Sequence, residues 1–182
     1  MPLEFTTSHL TDSITLFRHY KRLAEEAMKQ VDDEQLLIAL DPEMNSIAQT
    51  VKHMTGNMRS RWTDFLHSDG EKPDRNRDSE FVDPPATRES LLALWDEGWR
   101  LVFQALEPLT DAHLDRKVFI RGEAHSVMQA INRQIAHYSY HCGQIVLLAK
   151  HFRSQDWKSL TIPRDKSVDF NRRVASGTAS QR

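Results

Sequence analysis

His137 and His141 lie four residues apart in a stretch, Ser126 to Phe152, that carries neither Asp nor Glu. On a helix, side chains at that spacing leave from one face, one turn apart. Two imidazoles so placed can grip a single metal ion. The spacing by itself is a weak signal, because most such pairs are simply two His residues; a third ligand must come from elsewhere in the chain. A carboxylate-bridged di-iron centre needs Glu-x-x-His pairs projecting inward, and the stretch has none. Neutral nitrogen ligands suit zinc, nickel, copper or iron rather than magnesium or calcium.

The element that would carry this pair reads as one long helix, about 40 Å if fully helical. Ser126 with Gln129 has capping-box spacing, and Lys150, His151 and Arg153 suit the negative end of the helix dipole. Val127, Ile131, Tyr138, Ile145, Ala149 and Phe152 form its apolar stripe. Three further amphipathic stretches precede it. The first starts at Ser8 or Thr11 and runs to about Val31, with Leu10, Ile14, Phe17, Leu23 or Ala24, and Ala27 on its apolar face. The second, capped by Ser46, runs from Ile47 to about His67 with Ile47, Val51, Met54, Met58, Trp62 and Phe65 inward. The third runs from Arg88 to about Glu107, after Thr87 and before Pro108, with Leu91, Leu92, Trp95, Trp99, Val102 and Leu106 inward. His53 stands roughly 120° off the second helix's stripe, and the His pair is offset to the same side of its own. That pattern predicts a site along one edge of the core.

The connections carry their own signals. Residues 68–87 hold Gly70, three Pro and alternating acids and bases, and read as a long surface loop without regular structure. A loop of that length is uncommon unless it is functional or covers something. Val118 to Ser126 reads as a hairpin with Gly122 near its turn. Trp157 to Pro163 is apolar enough to pack back on the helices. The expected architecture is an all-α four-helix bundle with a long loop between helices 2 and 3. It forms a single domain over residues 1–171, followed by a disordered tail at 172–182.

Composition narrows the function. The chain has 182 residues and a net charge of −2, which gives no case for nucleic acid or an anionic membrane. No apolar run nears the roughly 20 residues that span a bilayer, and the N-terminus lacks the plan of a signal peptide. Cys142 is the only cysteine, so no internal disulfide forms. A cytoplasmic location is expected. P-loop, dinucleotide fingerprint, nucleophile elbow and zinc-finger spacings are absent.

Several blocks together resemble the DinB/YfiT-like superfamily of small bacterial four-helix-bundle proteins, in an uncharacterised branch. They are Phe17 to Leu23, Asn45 to Leu66, Asp69 to Asp78, His137 to Ile145 and Trp157 to Asn171. The resemblance implies a divalent metal held by one His on the second helix and a His-x-x-x-His pair on the fourth, that is, by His53, His137 and His141. It also implies a homodimer. Within that superfamily stand thiol-dependent transferases and isomerases beside members without a known reaction.

Three neutral imidazoles leave the charge of a divalent metal uncompensated and coordination positions open, as at catalytic zinc sites. Such a metal, zinc or nickel in this setting, brings the pKa of a bound water to about 7 or activates the sulfur of a low-molecular-weight thiol. The expected function is a metal-dependent enzyme acting on a small-molecule substrate, either a small-thiol-dependent transferase or a metal-water hydrolase. The alternative is a non-catalytic metal-binding or dimerisation bundle with a stress-associated role. Asn57 and Arg61, one and two turns beyond His53, and Gln134, beside the His pair, are candidates to orient water or hold substrate; each is as readily a plain helix-face residue. Cys142 points about 100° away from His141 and reads as a small core residue.

Overall fold

A computed structural model describes residues 6–180. Helices dominate: α1 (His9–Met28), α2 (Asp33–Leu37), α3 (Ile47–Trp62), α4 (Arg88–Leu106), α5 (Val127–Arg153) and α6 (Ser167–Ala175). The one sheet among the described residues is a hairpin of β1 (Lys117–Ile120) and β2 (Glu123–Ser126). The protein is therefore all-α in class, as its composition predicts. No helix among the described residues is long and apolar enough to cross a membrane.

The helices start where side chains can satisfy their first N–H groups. Ser8 caps α1, Thr87 caps α4, and Ser46 and Ser126 form reciprocal boxes with Gln49 and Gln129 at the heads of α3 and α5. In α1 the inward residue is Ala24, while Leu23 is half-buried. Helix α3 stops at Trp62, short of His67. Thr63 is extended and Asp64 takes a positive φ of 49°, so the chain turns. The turn still returns Phe65 to the core, where its ring lies 4.8 Å from that of Trp62. Past α5, Trp157 and Leu160 pack against the core, and the amide of Gln30 bonds the backbone of Lys158 from both sides. Helix α6 runs through Ala175, so the chain is helical into the stretch expected to be a disordered tail.

The four long helices meet pairwise: α1 with α5 and α4, and α3 with α4 and α5. Each contributes one ring to a central aromatic cluster. Phe17 of α1 lies 6.0 Å from Trp62 of α3, 6.1 Å from Trp99 of α4 and 5.8 Å from Tyr138 of α5, centroid to centroid. Trp99 and Tyr138 stand edge to face at 5.6 Å, a geometry that adds to area burial. Two of its polar groups are paired, while the buried Trp99 indole nitrogen has no partner among the described residues. The Trp62 indole N–H donates to the Tyr138 hydroxyl at 2.9 Å, and that hydroxyl donates to Asn57 Oδ1 at 3.1 Å.

Residues 68–87 depart from the expected featureless surface loop. Asp78–Phe81 forms a 3₁₀ turn, and Glu80 is buried. Asp69 accepts backbone N–H bonds from Glu71, Arg121 and Gly122 at 2.7–2.8 Å. Arg121 and Gly122 are the hairpin turn, both at positive φ (57° and 76°), the pairing a two-residue type I′ turn demands. Gly70 N–H donates to Phe119 O at 2.7 Å. The loop is thus fastened to the hairpin at one end and, as described below, to α3 along its length.

Tyr138→Phe removes the acceptor of the Trp62 indole N–H, leaving that buried donor unpaired, and takes away one of the two donors to Asn57 Oδ1. The expected cost is about 1–3 kcal/mol, read as a lower urea midpoint with unchanged helical circular dichroism. An unchanged midpoint would show that this bond contributes nothing net.

Candidate metal centre

His53 comes from α3, and His137 and His141 come from α5. Their ligating atoms all lie within 4.8 Å of one another. The His137 and His141 Nε2 atoms are 3.1 Å apart. The His53 ring stands 5.5 Å from His137 and 4.9 Å from His141, nearly perpendicular to the first. His53 and His141 are buried and His137 is half-buried. The structure thus brings together the three residues that the sequence pointed to.

The atoms fit a cation. Two ring nitrogens 3.1 Å apart cannot both aim bare lone pairs at each other, so a proton or a metal ion must lie between them. Two nitrogens bound to one metal at about 2.0–2.1 Å lie roughly 3–3.5 Å apart. The other ring nitrogens of two of the three His have partners that set the tautomer. His53 Nδ1–H donates to Glu80 Oε2 at 2.8 Å, and His141 Nδ1–H donates to Gln144 Oε1 at 2.7 Å. Both bonds leave Nε2 with its lone pair, the state a metal takes. Buried His137 Nδ1 has no partner among the described residues.

Electrostatics favour the neutral forms of His137 and His141. Burial, with the neighbouring His141 and His53, pushes His137 down to about 3. Burial also lowers His141, and His53 adds to this against the opposing bond to Gln144. Burial alone would raise Glu80; hydrogen bonds from His53 and Arg75 and the Arg75 charge outweigh it and hold the carboxyl below its usual range.

Behind His53 runs a chain of charges that the sequence did not reveal. Arg75 grips Glu80 with Nε on Oε1 at 2.8 Å and Nη2 on Oε2 at 3.0 Å. Arg75 Nη1 also donates to Glu71 at 3.0 Å, and Arg61 Nη1 donates to the same Glu71 oxygen at 2.7 Å and to Gly70 O. From sequence, Glu71, Arg75 and Glu80 read as charges of a surface loop and Arg61 as a candidate substrate residue on α3. Two Arg and two Glu face one another here, which lets the Arg61, Arg75 and Glu80 side chains sit inside while Glu71 stays half-buried. A faint signal existed. Gln49, His53, Gly56 and Ser60 recur at helical spacing on α3, and this polar and small stripe receives the loop. Gln49 Nε2 donates to Phe81 O, and Ser60 Oγ donates to Gly70 O, both at 2.8 Å.

The three candidates for substrate handling sit inside the fold. Gln134 Nε2 donates to Asn57 Oδ1 at 3.1 Å, beside the Tyr138 bond to the same oxygen. Arg61 is buried against Glu71 and Gly70. Their hydrogen bonds serve the α3–α5 seam and the loop. Cys142 is also buried, which pushes its thiol up to about 12, and its Sγ faces Tyr20 O at 3.5 Å. That is a core residue and not a nucleophile.

The chain belongs to the family described as protein of unknown function (DUF1572), whose model matches residues 4–166. A comparison with curated proteins finds no match.

The His137 shift has a consequence for the metal-free protein. Between pH 6.5 and about 3 the unfolded chain takes up a proton at this ring and the folded chain does not. Stability present above pH 6.5 is therefore lost as the pH falls through that window. Urea midpoints measured from pH 7 to pH 4 should fall less steeply for His137→Gln than for the wild type; parallel slopes would contradict a neutral buried ring.

Proposed function

We propose that this chain is a DinB/YfiT-like four-helix bundle that holds one divalent cation, zinc or nickel, on His53, His137 and His141, and works as a metal-dependent enzyme on a small molecule. The observation that carries this reading is the convergence of three imidazoles from two helices, with a carboxylate behind one and an amide behind another. Three neutral nitrogens complete neither the charge nor the coordination of a divalent ion, which is the donor set of an open site. When bound, the ion supplies Lewis acidity toward a water or a small thiol, so the two reactions in view are hydrolysis and thiol transfer.

The chain's own residues do the positioning. Glu80 holds the edge of His53, and Phe81 stacks on its face at 4.7 Å, closing that side to water. Gln144 turns His141 so that its Nε2 faces His137. A thiol for transfer would be a separate co-substrate, since Cys142 is buried. The reading includes a homodimer in a reducing cytoplasm. A second reading, a non-catalytic metal-stapled bundle, draws support from one observation: Asn57, Arg61 and Gln134 are all buried and engaged in internal bonds.

Metal content by mass spectrometry on untagged protein, beside a His137→Ala/His141→Ala variant, separates these readings from a bundle without metal. About one ion per chain in the wild type and nearly none in the variant is expected for a three-His site. No metal in either, after loading with zinc and nickel, would end the metal reading. Given a loaded protein, turnover of an electrophile only with thiol marks a transferase, and thiol-indifferent turnover marks a hydrolase. Inertness toward both classes favours the staple.

A further inference from the structure

The cluster contains no carboxylate, yet one stands directly behind it. Glu80 is 5% exposed, and burying a carboxylate is costly unless it is paired and hydrogen-bonded. Arg75 already balances it with a two-pronged grip. The carboxylate nevertheless makes a further bond, from His53 Nδ1–H to Oε2. An ion pair that served only to fasten the loop would not need it.

Helix α3 is shaped to let this happen. A Cβ on Gly56 would lie 2.4 Å from Glu80 Oε1 and 2.6 Å from its carboxyl carbon. Only a residue without a side chain lets the carboxylate come so close to the helix one turn from His53. Glycine in a helix interior is less favourable than Ala, so the clearance has a cost in helix stability. The next residue, Phe81, covers the His53 ring at an interplanar angle of 23°. Gln49 holds the Phe81 carbonyl, and Lys52 Nζ holds the Val82 carbonyl at 2.6 Å. One short segment thereby fixes the edge and the face of one imidazole.

We infer that Glu80 is a positioning residue of the metal centre: carried by the 71–82 segment, its carboxylate fixes the Nδ1–H tautomer and the orientation of His53, so that metal affinity depends on it. This rests on the metal reading above. Glu80 binds no ion itself; it acts through His53. Removing such an outer carboxylate partner costs about 10–100-fold in metal affinity.

The test uses full-length protein, with zinc alone as the probe in competition with a chromogenic chelator. Long-range ¹H–¹⁵N spectra of the histidine rings are recorded on the metal-free protein. Glu80→Gln keeps the size of the side chain and removes its charge. Gly56→Ala leaves Glu80 chemically intact and displaces it, so the test survives if the first variant folds poorly. The wild type should show His53 protonated at Nδ1. Both variants should bind zinc about 10–100-fold more weakly, with wild-type helical circular dichroism and a shifted His53 tautomer equilibrium. Wild type that binds zinc while both variants bind it equally tightly overturns the role of Glu80 and leaves the three-His site standing. A wild-type His53 protonated at Nε2 overturns that role as well. Wild type that binds no zinc overturns the site, and the role with it.

Discussion

Three imidazoles from two helices converge only if those helices keep a fixed rotation about their axes. The seam between α3 and α5 supplies that constraint. Trp62, Tyr138, Asn57 and Gln134 form one buried chain of hydrogen bonds across it. Buried polar chains of this kind are costly when broken and so select one arrangement. A rotation of either helix by one residue, about 100°, would break this chain and separate His53 from the pair. The aromatic cluster of Phe17, Trp62, Trp99 and Tyr138 drives association; the amides and hydroxyl decide its register.

The outer wall of the site is built differently. It is made of charge, on a segment with little apolar weight of its own. Arg61, Glu71, Arg75 and Glu80 alternate in sign from the hairpin side to His53. Buried pairs of this sort add less stability than their Coulomb attraction suggests, because both ions lose water. Their value here is placement. Each side chain has a preferred partner on each side, and the last partner in line is a ring nitrogen of the proposed metal ligand. The apolar seam and the charged wall thus meet at His53, which is held by helix packing on one side and by the loop on the other.

Much of this was legible in the sequence. The His-x-x-x-His spacing, the four capping residues and the apolar stripes each rest on short-range rules, and each has its counterpart in the structure. So does the hairpin, whose Arg121-Gly122 turn is set by local backbone preference. Long-range pairing was not legible. Glu80 and Arg75 look like solvated loop charges because nothing local says that α3 offers them a polar and small stripe. The sequence pattern carries α3 about one turn past its end at Trp62, since Phe65 keeps the helical stripe going although the backbone has already turned at Asp64. Asn57 and Gln134 looked free to meet a substrate because the bond between them spans 77 positions of sequence.

The most direct measurement of the central claim is an anomalous-scattering map at the zinc edge, from crystals of protein loaded with zinc. A single strong peak is expected within coordinating distance, about 2.0–2.1 Å, of one nitrogen each from His53, His137 and His141. A peak elsewhere on the chain, or none among these three rings, would contradict it.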